Sequence, residues 1–188
     1  MKNKAALIKL ILILMISAIA RLFLYILLHE FGHVIVMLSA GEKITEFSIL
    51  GAHVSGEGGN YTDISDLWKH ANGTVFPLLI SYFFLLFYRK ESKNTVYRIF
   101  SLFFGFIPAF GLISWFVKPL IYVRGTFTAG DDTTQFLYNF SQGHSPVIVS
   151  IAAALLFGIS TFLIIRKSVF RNCIEEIKRV REEIKGAR

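Results

Sequence analysis

Two histidines four residues apart, with a glutamate directly after the first, stand in the stretch Leu27-Leu28-His29-Glu30-Phe31-Gly32-His33-Val34-Ile35. On a helix such residues share one face and lie ~6 Å apart along the axis, so both imidazoles can reach a single metal ion. Glu30 is placed to hold a water beside that metal. In zinc hydrolases built on HExxH the carboxylate is the general base, while zinc acidifies the bound water and polarises the carbonyl under attack. Five His and nine Glu in 188 residues give roughly 0.006 matches to this pattern by chance, so coincidence is a poor account of it. Three ionisable groups inside an apolar helix are costly in lipid and ordinarily mark an inward-facing functional site.

A hydrolytic zinc takes three protein ligands and leaves its fourth position to water. Residue types that could supply the third are Asp131, Asp132, His53, His70 and His144. The run Gly130-Asp131-Asp132-Thr133-Thr134 is also good helix-start chemistry, in which a carboxylate caps free backbone N–H groups. His33 precedes Ala40 by seven residues, which puts a metal ~10 Å from the helix end that leads into 41–70.

The elements that must carry these groups are apolar. The chain is 54% hydrophobic and 18% charged, with 19 Phe and a mean hydropathy of +0.56, which excludes a disordered or fibrous protein. One cysteine, Cys173, excludes an internal disulfide scaffold. The net charge of +7 comes from short basic blocks between apolar runs, a pattern that points to a membrane and away from nucleic acid. Residues 5–40, 71–88, 99–123 and 146–165 are each long enough to cross a ~30 Å hydrocarbon core, giving four expected crossings. The first block, ~54 Å if fully helical, must tilt, protrude or break, and Arg21 marks either a helix end or an inward polar contact. Its basic start and Ala18-Ile19-Ala20 imitate a signal peptide, but hydrophobicity continues beyond them, so it reads as an uncleaved membrane segment. Arg89, Lys90, Lys93 and Arg98 put 89–98 in the cytoplasm with both ends of the chain, and 41–70 and 124–145 on the other side. Pro108, Gly111 and Pro119 in the third block suggest a packing kink or a gate. From Arg166 onward, Phe170, Cys173, Ile174, Ile177 and Ile184 recur at helical spacing, with Glu175 and Arg179 paired one turn apart on the polar side of an amphipathic helix.

An HExxH inside a membrane helix resembles the site-2 protease family of intramembrane zinc metalloproteases. The segment Gly41-Glu42-Lys43-Ile44-Thr45-Glu46-Phe47-Ser48-Ile49-Leu50-Gly51 is similar to the family's entry into a β-hairpin beside the site. As an edge strand it could pair with an unwound substrate. Thr128-Ala129-Gly130-Asp131-Asp132-Thr133-Thr134-Gln135-Phe136-Leu137 resembles the family's third-ligand motif at the start of a later membrane helix. The resemblance implies Asp132 as third ligand, with Asp131 as second choice. Asn72-Gly73-Thr74-Val75-Phe76-Pro77 departs from the family's Gly-Pro-x-x-Asn motif, leaving Asn72 as a weak substrate-orienting candidate or a helix cap.

The expectation is an all-α membrane protein of about four transmembrane helices, with a small β-hairpin after the HExxH helix and a C-terminal amphipathic helix. Residues 1–165 form the membrane metalloprotease domain and 166–188 a basic cytoplasmic tail. Implied are one zinc on His29, His33 and Asp132, Glu30 as catalytic base, and a membrane protein or peptide substrate. The chain would reside as a multi-pass protein in the lipid bilayer of the cell membrane, without nucleic acid. One alternative is a non-catalytic zinc-binding relative that sequesters a membrane partner. A metal-handling protein ranks last, because 71–88 and 146–165 contain no His, Asp or Glu.

Overall fold

The structure, a computed structural model, describes residues 2–123 and 130–186. Its elements run α1 (Lys2–Ser39), β1 (Lys43–Ser48), β2 (His53–Glu57), α2 (Asp63–Leu86), α3 (Thr95–Tyr122), α4 (Asp132–Phe140), α5 (Val147–Arg166) and α6 (Val169–Gly186). The mostly helical, membrane-like class and the hairpin after the HExxH helix are as expected. The crossing count is corrected. Among the described residues three helices are long and apolar enough to span a membrane: Ala5–Ser39, Thr95–Tyr122 and Val147–Arg166. The expected second span, 71–88, supplies most of α2, but Asp63, Asp66, Lys69, His70 and Asn72 occupy the first turns of that helix. Charged residues of this kind cost several kcal/mol in hydrocarbon, about 2.5–3.5 each at mid-membrane. α2 packs along the bundle: Asn72 Nδ2 donates to the Gly32 carbonyl of α1 (2.7 Å), and Lys167 Nζ donates to the Leu86 carbonyl at its C-terminus (2.7 Å).

The first block is one unbroken helix of 38 residues. Arg21 does not end it; the side chain is fully buried, with its guanidinium 3.9 Å over the Phe104 ring and Nη2 3.5 Å from the Phe104 carbonyl. Pro108, four residues on, has no N–H to give that carbonyl. Ser81 Oγ donates to it at 3.0 Å, and so α3 continues through Pro108 with the freed acceptor satisfied from α2. Large apolar side chains such as Ile8, Ile16, Phe110, Leu155 and Phe162 line the outer faces of α1, α3 and α5 and stay exposed, a surface suited to lipid rather than water.

Buried clusters tie the ends together. Leu10, Ile99, Cys173 and Val180 join α1, α3 and α6, while Leu85, Tyr88, Ile164 and Val169 join the ends of α2 and α5 to α6. The amphipathic helix expected in the tail is present and packs on the bundle through Cys173 and Val180, with Phe170 and Ile177 left exposed; the Ile184 side chain lies outside the described residues. Its ion pairing differs from the expectation. Arg179 Nη2 meets the buried Glu176 at 2.7 Å, and Glu176 also meets Arg98 of α3 at 3.3 Å; Glu175 is more exposed and meets Arg171 at 3.7 Å and Arg98 at 4.0 Å.

β1 and β2 pair antiparallel from Lys43↔Glu57 to Ser48↔His53, with an irregularity between Ile44 and Glu46 that explains the weak alternation in the sequence. Gly41, at φ +79°, turns the chain from α1 into the hairpin, a conformation other residues adopt at a cost.

Candidate metal centre

The two histidines of α1 converge on an aspartate of α4 that lies 103 and 99 residues further along the chain. His29 Nε2 lies 2.9 Å from Asp132 Oδ2, His33 Nε2 lies 3.1 Å from the same oxygen, and the two Nε2 atoms are 3.3 Å apart. His33 Nδ1 is 2.6 Å from the Lys69 carbonyl oxygen, which can only accept, so Nδ1 carries the ring hydrogen and Nε2 presents a lone pair. A lone pair facing a carboxylate oxygen at 3.1 Å is repulsive unless a proton or a metal cation lies between them. Ligands ~2.0–2.1 Å from a tetrahedral ion are ~3.3 Å from one another, close to the spacing here. The donor set thus fits zinc in chemistry and in size. Burial pushes the Asp132 carboxyl upward, but the imidazoles of His29, His33 and His70 outweigh it and hold the group well below the ordinary carboxylate range.

Local sequence explains each placement. Asp131 is the N-cap of α4: its side chain accepts from the Thr134 N–H at 3.3 Å and meets Lys118 Nζ at 2.5 Å, which also keeps its carboxyl below the ordinary range against the opposing effect of burial. The two adjacent carboxylates therefore divide, Asp131 to cap the helix and Asp132 to turn into the site. α4 has nine residues, too few to span a bilayer, so Asp132 opens a short helix and not a membrane helix as expected. Residues 128 and 129 of the matching motif lie outside the described residues.

Glycines let α1 and α2 approach. A Cβ on Gly32 would meet the Asn72 carbonyl at 2.3 Å, and a Cβ on Gly73 would meet His33 Nε2 at 2.4 Å and His29 Cε1 at 2.8 Å. Asn72 sits inside α2, whose cap is Thr62, so the capping role considered for it is excluded; its amide fastens α2 to the HExxH helix through Gly32. Gly73 and the Lys69 carbonyl were missed by the sequence reading. Small residues at helix crossings are a recognisable signal for Gly73, whereas a backbone carbonyl leaves no trace in sequence.

Glu30 is buried and borders a cavity of about 380 Å³ with His29, His33, His70 and Asp132. His53 and Lys69 form part of its rim, and His53 Nε2 pairs with Glu46 at 3.0 Å. His70, considered as a third ligand, lies in α2 with Nδ1 3.7 Å from Asp132 Oδ1 and Nε2 3.9 Å from Asp66. His144 stands apart, its ring against Phe140. Among the described residues the cluster able to hold a metal is His29, His33 and Asp132. Compared with protein-family models, curated proteins and solved structures, the chain has no match.

Proposed function

We propose that this chain is a zinc metalloendopeptidase of the site-2 protease type, a multi-pass protein of the cell membrane that hydrolyses peptide bonds in or near transmembrane segments of its substrates. One observation carries the reading: three potential ligand atoms, from His29, His33 and Asp132, face one another at 2.9–3.3 Å beside a buried glutamate on a cavity wall. Zinc bound there would acidify a water to a pKa of ~7 and polarise the scissile carbonyl. His33 is held in the ligating tautomer by the Lys69 carbonyl, and Asp132 contributes the negative charge that offsets the ion. Glu30 takes the proton of the attacking water on its carboxylate and returns it to the leaving amine.

The test is Glu30→Gln in the full-length protein, assayed with single-span membrane substrates. The variant should keep its metal and its fold and lose ~10² to 10⁴ in rate. Undiminished cleavage would reject the mechanism. The binding reading has one observation in its favour, the engagement of the Asn72 amide with Gly32 in place of a substrate. It gains if wild-type protein holds zinc and captures a membrane peptide, with and without Glu30, yet cuts none.

A further inference from the structure

Behind His33 lies a second cluster that the proposed chemistry does not use. Glu42, the residue that follows the Gly41 turn, is buried although charged. Lys69 Nζ meets its Oε2 at 3.2 Å, the Tyr61 hydroxyl donates to the same oxygen, and Lys69 Nζ lies 4.6 Å over the Tyr61 ring. Burial and the neighbouring Glu42 carboxylate push the Tyr61 hydroxyl above its ordinary range, so it remains a donor. Two glycines close around the carboxylate: a Cβ on Gly56 would meet Glu42 Cγ at 2.8 Å, and one on Gly59 would meet Glu42 Cβ at 3.1 Å. One carboxylate thus joins the end of α1, strand β2, the loop before α2 and the first turns of α2.

A buried carboxylate needs partners, since removing either donor leaves charge uncompensated in a low-polarity setting. Lys69 is also the residue whose carbonyl receives the hydrogen of His33 Nδ1 at 2.6 Å. Partners of this kind behind a metal ligand fix its tautomer and ring direction, and their loss typically weakens metal binding ~10- to 100-fold. We propose that Glu42 is a positioning residue for the metal centre. Its carboxylate grips the side chains of Lys69 and Tyr61, seats the first turns of α2, which carry the Lys69 carbonyl, against His33, and makes the β1–β2 hairpin and the metal ligands a single mechanical unit. This rests on the metal reading of His29, His33 and Asp132, and it adds a consequence for that reading: a peptide that shifts the hairpin on docking would alter the set of His33.

Titration of the detergent-solubilised full chain with Co²⁺, whose visible absorption bands report tetrahedral coordination, tests the coupling without any cleavage assay. Wild type should bind and His33→Ala should not. Glu42→Ala and Lys69→Met should each bind about 10-fold more weakly with altered bands, because both loosen the seat of the α2 turn that presents the Lys69 carbonyl to His33. The double variant should be no weaker than the weaker single one, since the two act through one contact. Phe47→Ala, on an exposed part of the hairpin, should leave the titration unchanged. If Glu42→Ala folds poorly, Lys69→Met and Tyr61→Phe carry the test, and wild-type affinity and bands in both would overturn the coupling. Wild-type protein that binds no Co²⁺, or His33→Ala that binds it fully, instead rejects the metal reading and the coupling with it.

Discussion

Gly73→Ala separates the needs of the metal site from those of the fold. The added methyl carbon would sit 2.4 Å from His33 Nε2, 2.7 Å from His33 Cε1 and 2.8 Å from His29 Cε1, against the 3.4 Å at which ordinary contact begins. The imidazoles must therefore withdraw by about 1 Å, whereas metal ligands hold their distances to about ±0.2 Å. His33 has little freedom to comply, because Nδ1 is already 2.6 Å from the Lys69 carbonyl. Metal affinity should fall by about 100-fold, or about 2.8 kcal/mol. Ala is a better helix former than Gly by ~0.5–1 kcal/mol, which opposes any loss of stability in α2. The variant should thus express and melt much as wild type does while failing to retain zinc in elemental analysis. Wild-type zinc content and affinity in Gly73→Ala would refute the packing of these imidazoles against α2.

Asp132→Ala should lose its zinc, while Asp131→Ala should keep it and lose ~0.5–2 kcal/mol from the α4 cap, read by metal content and thermal unfolding side by side. Should the two exchange behaviours, the assignment of ligand and cap is reversed. Arg21→Met should leave thermal stability unchanged or raise it, because Nε and Nη1 of Arg21 are buried without partners and an apolar replacement of similar length removes that cost; a drop of several degrees would mean that the guanidinium has a stabilising role the contacts do not reveal. Thiols placed at 60 and 93 should label from opposite sides of a sealed vesicle, since the first follows the C-terminal end of α1 and the second lies beside α3's start, with Cys173 silent in the core. Labelling of both from one side would show that α2, which lies between them and falls short of a span by composition, does not cross.

What could be read from the sequence was local. The spacing of His29, Glu30 and His33 set them on one helix face whatever surrounds the helix, and the long apolar runs required α1, α3 and α5 because lipid-length helices satisfy their own backbone. Gly130-Asp131-Asp132 announced the start of α4 in the same way, through capping chemistry confined to one turn. Sequence spacing had no means of deciding which of the two carboxylates turns inward, since that depends on Lys118 of α3 drawing Asp131 away. Nor could it foresee that Arg21 stays within an unbroken helix, because the carbonyl it approaches is freed by Pro108 on another helix. The span count failed for a related reason: the apolar run 71–88 supplies only part of α2, whose first turns are polar where they serve the site, and only the packing shows that helix and site share the same residues. Gly73, the Lys69 carbonyl and Glu42 became visible only when α1, α2 and the hairpin met, because close approach, a backbone acceptor and a buried counter-charge are properties of pairs of elements and not of any one stretch of chain.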